Sequence, residues 1–205
     1  MIKTEFLPVP DEITEEYIND EAAGISASIM KNNEAYIKSL LAKKHRPSAF
    51  KSIAAMEILG SFTEELGIFP TIEKTEFGKP YFADIPYVDF SISHSDNLVA
   101  CSICISKDKK PHIGIDCETL YKKDPLPLAE RFFTKKEIEM ISSSDDMKKA
   151  FTTLWTKKEA YIKLLGKGLS LPLASFDVET VPYHFETYEV MGNMFTICSE
   201  KTFFQ

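Results

Sequence analysis

The chain has 205 residues, enough for one sizeable domain or two small halves with a common core. Hydrophobic residues make up 44% and charged residues 27%, values near the globular average that exclude a disordered or fibrous protein. The net charge of −7 argues against a general nucleic-acid-binding surface, because neutralising phosphates requires a basic face.

Positive charge is nevertheless concentrated between residues 31 and 51. This stretch sets six basic residues against Glu34 alone: Lys31, Lys38, Lys43, Lys44, Arg46 and Lys51. The pattern is compatible with a solvated helix face and with a local site for an anion.

The four cysteines predict buried, reduced thiols and not a metal site. Cys101 and Cys104 form a C-x-x-C, but they lie in a stretch typical of a strand, where residues three apart face opposite sides. The N-terminus lacks a basic start followed by an apolar run, and the apolar stretch at 97–106 is too short to cross a bilayer. We therefore expect a cytoplasmic protein that binds neither a membrane nor nucleic acid.

In chain order, the first half predicts a strand, then helices, then a pattern of period two. Its predicted elements are a strand at 1–10, helices at 20–30, 33–44 and 47–66, and strands at 81–83, 88–93 and 97–106. Pro47 suits the first turn of the third helix, and Gly67 is a stop signal at its end.

The second half predicts a strand, helices and closing antiparallel strands. Thr134 and Glu137 form a capping-box signature that opens a helix to about residue 142. The remaining predicted elements are strands at 112–118, 176–181, 185–191 and 194–199, a helix at 147–165, and a hairpin turn at Gly192 and Asn193.

The two halves resemble each other in outline, because each has a long helix that ends at Leu-Gly and is followed by strands. This order predicts an α+β fold, a pseudo-dimer of two similar subdomains in which a long helix packs on an antiparallel sheet. We place the boundary near 110, with an N-terminal subdomain at 1–110 and a C-terminal subdomain at 111–205.

Two acidic residues on the strand at 112–118 are candidate metal ligands. Asp116 and Glu118 are two apart, so both carboxylates project from the same face, and Gly114 is expected to leave room for a substrate beside them. Hard oxygen ligands on a short rigid segment suit Mg²⁺, whose shell is completed by waters and phosphate oxygens. The alternative is a pair of solvated carboxylates at a strand end.

An acid and a lysine on the long helix at 147–165 are the next candidates. Glu159 and Lys163 are four apart and share one side of the helix, which alone would be an ordinary exposed ion pair. Trp155 lies one turn before Glu159 on the same stripe, so we expect this face to pack inward.

Two further segments present groups suited to phosphate. The turn Phe77-Gly-Lys-Pro80 presents Lys79, and the polar end of the strand at 88–93 presents Ser93, His94 and Ser95. A histidine among hydroxyl groups is compatible with a phosphate site and with a structural role.

Five segments together form a specific ordered pattern. They are Gly78-Lys-Pro80, Ser91-Ile-Ser-His-Ser95, Ile113-Gly-Ile-Asp-Cys-Glu118, Arg131-Phe-Phe133 and Trp155-Thr-Lys-Lys-Glu-Ala-Tyr-Ile-Lys163. This pattern resembles the Sfp-type 4′-phosphopantetheinyl transferase family of the holo-acyl-carrier-protein synthase superfamily. The paired signature of that family is a G-x-D-x-E strand followed by a W-x-x-K-E-A/S-x-x-K helix.

The resemblance implies transfer of the phosphopantetheine group of coenzyme A to a serine of an apo acyl or peptidyl carrier protein. Asp116, Glu118 and Glu159 would be the ligands of Mg²⁺, with Mn²⁺ as the alternative metal. Lys163 would meet the pyrophosphate, and Glu159 or a metal-bound water would accept the proton of the serine. The catalytic residues are thus expected to be Asp116, Glu159 and Lys163.

The same resemblance assigns the residues that bind coenzyme A, namely Arg46, Lys51, Lys79, Ser93, His94 and Lys163. An arginine is common in the family where Lys51 stands, so the bidentate contact of an arginine would be lost here, and Lys43 or Lys44 could share its role. Arg131, Phe132 and Phe133, with Lys135 and Lys136, are candidates for docking the acidic carrier, whereas the two phenylalanines could equally be core. A monomer with one site between its halves is expected.

Two other functions are compatible with parts of the pattern. A Mg²⁺-dependent phosphodiesterase could use the same carboxylates, but it would usually need a second metal and a further acidic cluster. A non-catalytic module could bind coenzyme A or a carrier protein, but it would be expected to lack one of the acids or the helix lysine.

Overall fold

The computed structural model describes residues 1–204, apart from the side chain of Leu169. The first half contains β1 (Ile2–Pro8), α1 (Glu15–Gly24), α2 (Ala27–Leu41), α3 (Arg46–Glu65), β2 (Ile72–Lys74), β3 (Pro80–Phe82), β4 (Val88–His94) and β5 (Leu98–Ile105). The second half contains β6 (Ile113–Thr119), α4 (Leu126–Phe132), α5 (Lys135–Ser142), α6 (Met147–Leu165), β7 (His184–Val190) and β8 (Asn193–Ser199). Short 3₁₀ helices lie at Gly168–Ser170, Leu173–Ser175 and Lys201–Phe203.

Two three-stranded antiparallel sheets organise the molecule. Their strand orders are β1-β5-β4 and β6-β8-β7, and β2 and β3 form a separate hairpin. A long helix packs against each sheet, α3 against β1 and β5, and α6 against β6 and β8. The predicted α+β class is confirmed; the pseudo-dimer and the subdomain boundary near 110 stay predictions.

Strand β5 contributes to two apolar clusters because its side chains alternate between its faces. Cys101 lies in the cluster under α3, whereas Cys104 packs against residues of β6 and β8. The four cysteines are buried and free, as predicted, and burial raises the pKa of the Cys104 thiol to about 12. The two halves therefore meet through a shared apolar layer that β5 helps to form.

The polar edge of this junction is a row of hydrogen bonds that we call the β4–β6 ladder. Alternate side chains of β4 accept hydrogen bonds from alternate backbone N–H groups of β6, the edge strand of its sheet. The bonds join Ile113 N to Asp89 Oδ2 (2.9 Å), Ile115 N to Ser91 Oγ (3.0 Å) and Cys117 N to Ser93 Oγ (3.1 Å). Side chains of one sheet thus satisfy the free edge of the other.

The first helices differ from the prediction. The predicted helix at 20–30 is divided, because α1 ends at Gly24 and Ser26 caps α2 by accepting a hydrogen bond from Ser28 N. The predicted helix at 33–44 is the second part of α2, which is kinked at Asn33. The amide of Asn33 binds the carbonyls of Ile29 and Pro70 and the N–H of Ile72.

The predicted strand at 176–181 is wrong, since this segment forms turns. Two of its main-chain groups are bound by buried side chains, and the segment pairs with no strand. Lys158 donates to the carbonyl of Phe176 (2.6 Å), and Val178 N donates to Glu137 (3.2 Å). Lys158 and Glu137 themselves form a fully buried ion pair of 2.8 Å between α6 and α5.

The other helix and hairpin signals agree with the structure to within a residue or two. Thr134 and Glu137 form the predicted capping box, and α6 begins after Asp146 and ends before Gly166. The hairpin turns at Met191 and Gly192, which have positive φ of 50° and 75°, one residue earlier than predicted. No helix in the described part of the chain is long and apolar enough to cross a membrane.

Candidate active site

Strand β6 and helix α6 approach each other unusually closely at Gly114. A Cβ on Gly114 would lie 2.0 Å from the carbonyl oxygen of Ala160 and 2.3 Å from the backbone nitrogen of Leu164. The expectation that this glycine leaves space for a substrate is therefore wrong, because the space holds the backbone of α6. The glycine instead allows the face of β6 with Asp116 and Glu118 to meet the helix that carries Glu159 and Lys163.

Asp116 is the most enclosed of the three predicted metal ligands. Its Oδ1 accepts hydrogen bonds from Lys163 Nζ (2.7 Å) and Ser93 Oγ (3.0 Å), and Lys163 Nζ also donates to Ser93 Oγ (2.8 Å). Ser93 in turn accepts the ladder bond from Cys117 N. The hydroxyl of Ser93 has one donor and two acceptor positions, so the protein already uses all three.

Seven of the nine predicted site residues line one cavity of about 510 Å³ between the halves, whereas Arg46 and Lys79 do not. From the second half it receives Asp116, Glu118, Trp155, Glu159 and Lys163. From the first half it receives a set that is basic and partly apolar: Tyr36, Leu40, Lys43, Lys51, Ser52, Ala55, Met56, Lys74, Gly78, Pro80, Ile92, Ser93 and His94. The structure therefore brings the three acids and Lys163 to the same cavity as Lys51, Ser93 and His94.

The cavity offers oxygen donors of the chemical type that a divalent cation prefers. Among the described residues, Oδ2 of Asp116 is a buried atom without a hydrogen-bond partner, and Glu118 and Glu159 line the same cavity. Carboxylate oxygens of this kind are ligands that Mg²⁺ prefers. No three His, Cys, Asp or Glu side chains in the described chain are grouped closely enough to form a complete metal site, so convergence of the trio on one ion stays a prediction.

The carboxylates perturb one another across the cavity. Burial, together with the negative charges of Asp116 and Glu159, raises the pKa of Glu118 to about 7, although Lys163 opposes the shift. Burial and the charge of Asp116 likewise raise the pKa of Glu159. Excess negative charge held in a poorly hydrated place favours a bound cation or a proton.

The opposite wall concentrates positive charge. Lys43 donates to Ser52 Oγ (2.6 Å), and burial together with the nearby charge of Lys74 lowers the pKa of Lys43. Burial and the charges of Lys51, Lys163 and Lys43 lower the pKa of His94. A neutral imidazole among ammonium groups can accept or donate a hydrogen bond while the lysines attract an anion.

Arg46 lies away from the cavity. Its guanidinium forms an ion pair with Glu15 and donates to the carbonyls of Leu41 (2.8 Å) and Lys43 (3.1 Å). These contacts close the end of α2 against the start of α3. The structure therefore does not bring Arg46 together with the other predicted coenzyme-binding residues.

Lys79 also points elsewhere, although Gly78 and Pro80 line the cavity. Its ammonium pairs with Asp89 Oδ2 (2.9 Å) and donates to the carbonyls of Ile113 (3.0 Å) and Leu164 (3.5 Å). Its side chain is only 14% exposed. In this structure the ammonium contacts protein atoms on three elements and is not presented to the cavity.

Lys74 and Tyr36 are among the cavity residues that are absent from the sequence-based set. Lys74 ends β2, and its ammonium lies 5.1 Å from the ring centroid of Tyr36 on α2. Lys74 pairs with Pro80 in the β2–β3 hairpin, next to the Gly-Lys-Pro motif. The position of Lys74 next to this motif in the hairpin is the feature that marks it as a cavity residue. The sequence does not reveal that position, because β2 is only three residues long and its pattern does not predict a strand.

The predicted docking segment divides between core and surface. Phe133 is buried in an apolar cluster with Phe151, and Phe132 packs edge-on against Trp155, with ring centroids 5.6 Å apart. Arg131 is exposed and lies over the ring of Phe132. The core alternative therefore holds for Phe133, and a docking role for the exposed basic residues stays a prediction.

Comparison of the sequence with known proteins matches the chain to one family. A model of the 4′-phosphopantetheinyl transferase superfamily matches residues 112–201, which include β6, α6, β7 and β8. The 4′-phosphopantetheinyl transferase gsp of Aneurinibacillus migulanus is 30% identical over 185 residues, which are 87% of this chain and 72% of that protein. The 4′-phosphopantetheinyl transferase HetI of Nostoc sp. is 32% identical over 173 residues, covering 79% of this chain and 68% of that protein.

The chain therefore belongs to the 4′-phosphopantetheinyl transferase superfamily, and within it to the Sfp-type family that its motifs resemble. The 4′-phosphopantetheinyl transferase Sfp of Bacillus subtilis is 38% identical over 141 residues, which are 60% of both proteins. A second Bacillus subtilis relative is 43% identical over 105 residues, which are 50% of this chain and 44% of the relative. The matches to these two relatives thus span less than two thirds of their length.

Proposed function

We propose that this protein transfers the 4′-phosphopantetheine group of coenzyme A to a serine of an apo acyl or peptidyl carrier protein and releases adenosine 3′,5′-bisphosphate. The observation that carries the proposal is the charge division of one cavity, with lysines on the first-half wall and three carboxylates on the second. Coenzyme A is a polyanion that a basic wall attracts, and its pyrophosphate together with the carboxylates could hold a divalent cation between them.

Glu159 is the proposed proton acceptor. The serine oxygen forms a bond to the phosphorus that carries the pantetheine arm, and the bond from that phosphorus to the oxygen of the bisphosphate breaks. The serine proton passes to Glu159, whose raised pKa makes it a better acceptor than an ordinary carboxylate. If Asp116, Glu118 and Glu159 held a divalent cation, the ion could supply a bound water as the alternative acceptor.

Lys163 is the residue proposed to stabilise the leaving group. Its ammonium donates hydrogen bonds to Asp116 and Ser93, at the junction between the acidic and basic walls. A fixed positive charge there would offset the negative charge that develops on the leaving phosphate. Asp116, Glu118 and Glu159 would hold Mg²⁺ or Mn²⁺, which when bound would neutralise the pyrophosphate.

The remaining features of the proposal concern the surroundings of the reaction. Lys43, Lys51, Lys74 and His94 would hold the phosphates of coenzyme A, and both halves of one chain supply the cavity, so a monomer suffices. A cytoplasmic location, where coenzyme A and carrier proteins meet, is part of the same proposal.

The test is a mass measurement on the carrier. The protein is incubated with coenzyme A, Mg²⁺ and an apo acyl carrier protein or an apo peptidyl carrier domain, and the carrier is weighed by mass spectrometry. A gain of one phosphopantetheine on the serine, lost with a chelator and restored by Mg²⁺ or Mn²⁺, is the expected result. Hydrolysis of coenzyme A without carrier modification would favour the phosphodiesterase, and binding without turnover would favour the non-catalytic module.

A further inference from the structure

Lys79 and Asp89 form a partly enclosed ion pair beside the cavity but not in it. The side chains are 14% and 11% exposed, and the Nζ–Oδ2 distance is 2.9 Å. Neither residue lines the cavity that holds the three acids. An ion pair removed from water in this way needs further hydrogen bonds to be maintained, and both partners have them.

The ammonium of Lys79 contacts the three elements on which the polar centre of the cavity depends. It binds Asp89 on β4, the carbonyl of Ile113 on β6 and the carbonyl of Leu164 at the end of α6. These strands and this helix carry Ser93, Asp116 and Lys163, respectively. One charged group therefore joins the three elements whose side chains meet at Asp116 Oδ1.

Asp89 is also the first member of the β4–β6 ladder. Its Oδ2 accepts hydrogen bonds from both Lys79 Nζ and Ile113 N. Successive rungs at Ser91 and Ser93 repeat the register two residues at a time, and the last rung is the hydroxyl that donates to Asp116. A change at Asp89, at one end of the ladder, can thus alter the position of β6 relative to β4 at Asp116, near the other end.

The aliphatic part of the Lys79 side chain is also packed against the protein. A Cβ on Gly166, the residue that ends α6 with φ of +64°, would lie only 3.3 Å from Lys79 Cδ. The lysine therefore packs along the end of the helix. Swinging its ammonium into the cavity would break three contacts and leave the carboxylate of Asp89 without its cation.

We infer that Lys79 and Asp89 are positioning residues for the proposed transfer: their ion pair fixes the β4–β6 ladder, and the ladder sets Asp116 against Ser93 and Lys163. This inference rests on the proposed function and assigns Lys79 a role other than direct contact with coenzyme A. A lysine that binds a coenzyme phosphate would chiefly affect KM, whereas a positioning lysine would chiefly affect kcat.

The test uses Lys79→Met and Asp89→Asn in the full chain, with Lys3→Met as the matched control. Lys3 forms an ion pair with Glu65 inside the first half, away from the ladder. For each protein, steady-state transfer gives kcat and the KM for coenzyme A, and NMR-detected hydrogen exchange gives the protection of the Ile113, Ile115 and Cys117 amides.

We expect both ladder variants to lower kcat about tenfold or more while the KM for coenzyme A changes less than about twofold. The Ile113 amide should exchange about tenfold faster, since its acceptor loses the fixed partner that holds it in place. Lys3→Met should leave kcat, KM and the three amides at their parent values.

Two results would overturn the inference. One is a raised KM for coenzyme A at unchanged kcat, which would show that Lys79 reaches the substrate. The other is unchanged amide exchange in both variants, which would show that the ion pair does not hold the ladder. If Lys79→Met does not fold, Asp89→Asn decides, because its amide oxygen can still accept from Ile113 N while its charge is lost. Hydrogen exchange can be measured without turnover. A parent protein with no transferase activity would count against the proposed function, and the exchange rates alone would then decide whether the ion pair holds the ladder.

Discussion

Substitution of Gly114 by alanine tests whether the approach of β6 to α6 builds the site. The added Cβ would meet the carbonyl oxygen of Ala160 at 2.0 Å and the nitrogen of Leu164 at 2.3 Å. Ordinary nonbonded contacts of carbon begin above about 3 Å, so the strand and the helix must separate by about 1 Å. The obstacle is backbone on a packed helix, which cannot rotate away as a side chain would.

The expected cost follows from this displacement. Overpacking of a dense interior destabilises by about 1–3 kcal/mol, and a catalytic group displaced by about 1 Å can lose about a hundredfold in rate. We therefore expect Gly114→Ala to lower the free energy of unfolding in urea by about 2 kcal/mol. The transfer rate of the folded protein should fall far more than that loss of stability explains.

The matched control is Gly24→Ala at the end of α1. Its Cβ would meet Glu57 Oε1 at 2.7 Å, but this contact is the movable end of an acidic side chain. Its effect on the free energy of unfolding should stay within about 1 kcal/mol. A Gly114→Ala protein with the stability and turnover of the parent would show that β6 and α6 can separate freely and would refute the reasoning.

Three further predictions concern charged groups. Glu159→Gln should abolish carrier modification in the mass assay while circular dichroism and the midpoint of thermal unfolding stay near the parent values; retained turnover would remove Glu159 from the mechanism. Lys74→Met should raise the KM for coenzyme A about threefold to tenfold, whereas Lys31→Met, which removes a lysine stacked on Phe69 outside the cavity, should not. Burial, a hydrogen bond with Glu57 and nearby acidic charges raise the pKa of Glu21 to about 8. The folded state therefore holds this proton more tightly than the unfolded state, and the stabilisation is complete below pH 4.5 and lost as pH rises towards 8. Because Glu21 is partly exposed, Glu21→Gln should remove only about 1 kcal/mol of this pH dependence, as measured by urea unfolding at pH 5 and pH 8; equal slopes in the parent and the variant would contradict it.

Helix ends were predictable where a local residue fixes them. The bounds of α6 follow from the cap at Asp146 and the left-handed Gly166, which act within a turn of their own positions. The segment at 176–181 could not be assigned in this way. Its apolar alternation is real, but its backbone partners are Lys158 and Glu137, which are distant in sequence and are brought near only by tertiary packing.

The chemical types of the site were predictable, but some of its contacts were not. Asp116 and Glu118 share a face by the geometry of any strand, so the sequence alone placed them together. Whether a basic side chain reaches the cavity depends on which acidic residue it pairs with. Glu15 pairs with Arg46 and Asp89 pairs with Lys79, and neither pairing follows from spacing along the chain.

The distribution of charge explains why an acidic protein would present a basic wall to its substrate. The acids of the cavity come from the second half, and burial, together with the negative charges of its neighbours, raises the pKa of Glu118 to about 7. The second-half wall of the cavity, which carries these acids, would by itself repel a pyrophosphate. Lys163 lies where the walls meet, on Asp116 Oδ1, and so offsets part of the negative charge while Lys43 and Lys51 face it from the first half. The proposed function, in which the cavity attracts a polyanion on one side and holds a cation on the other, therefore requires the two halves to keep their relative position. This requirement makes the close packing at Gly114 and the β4–β6 ladder part of the proposed chemistry as well as of the fold.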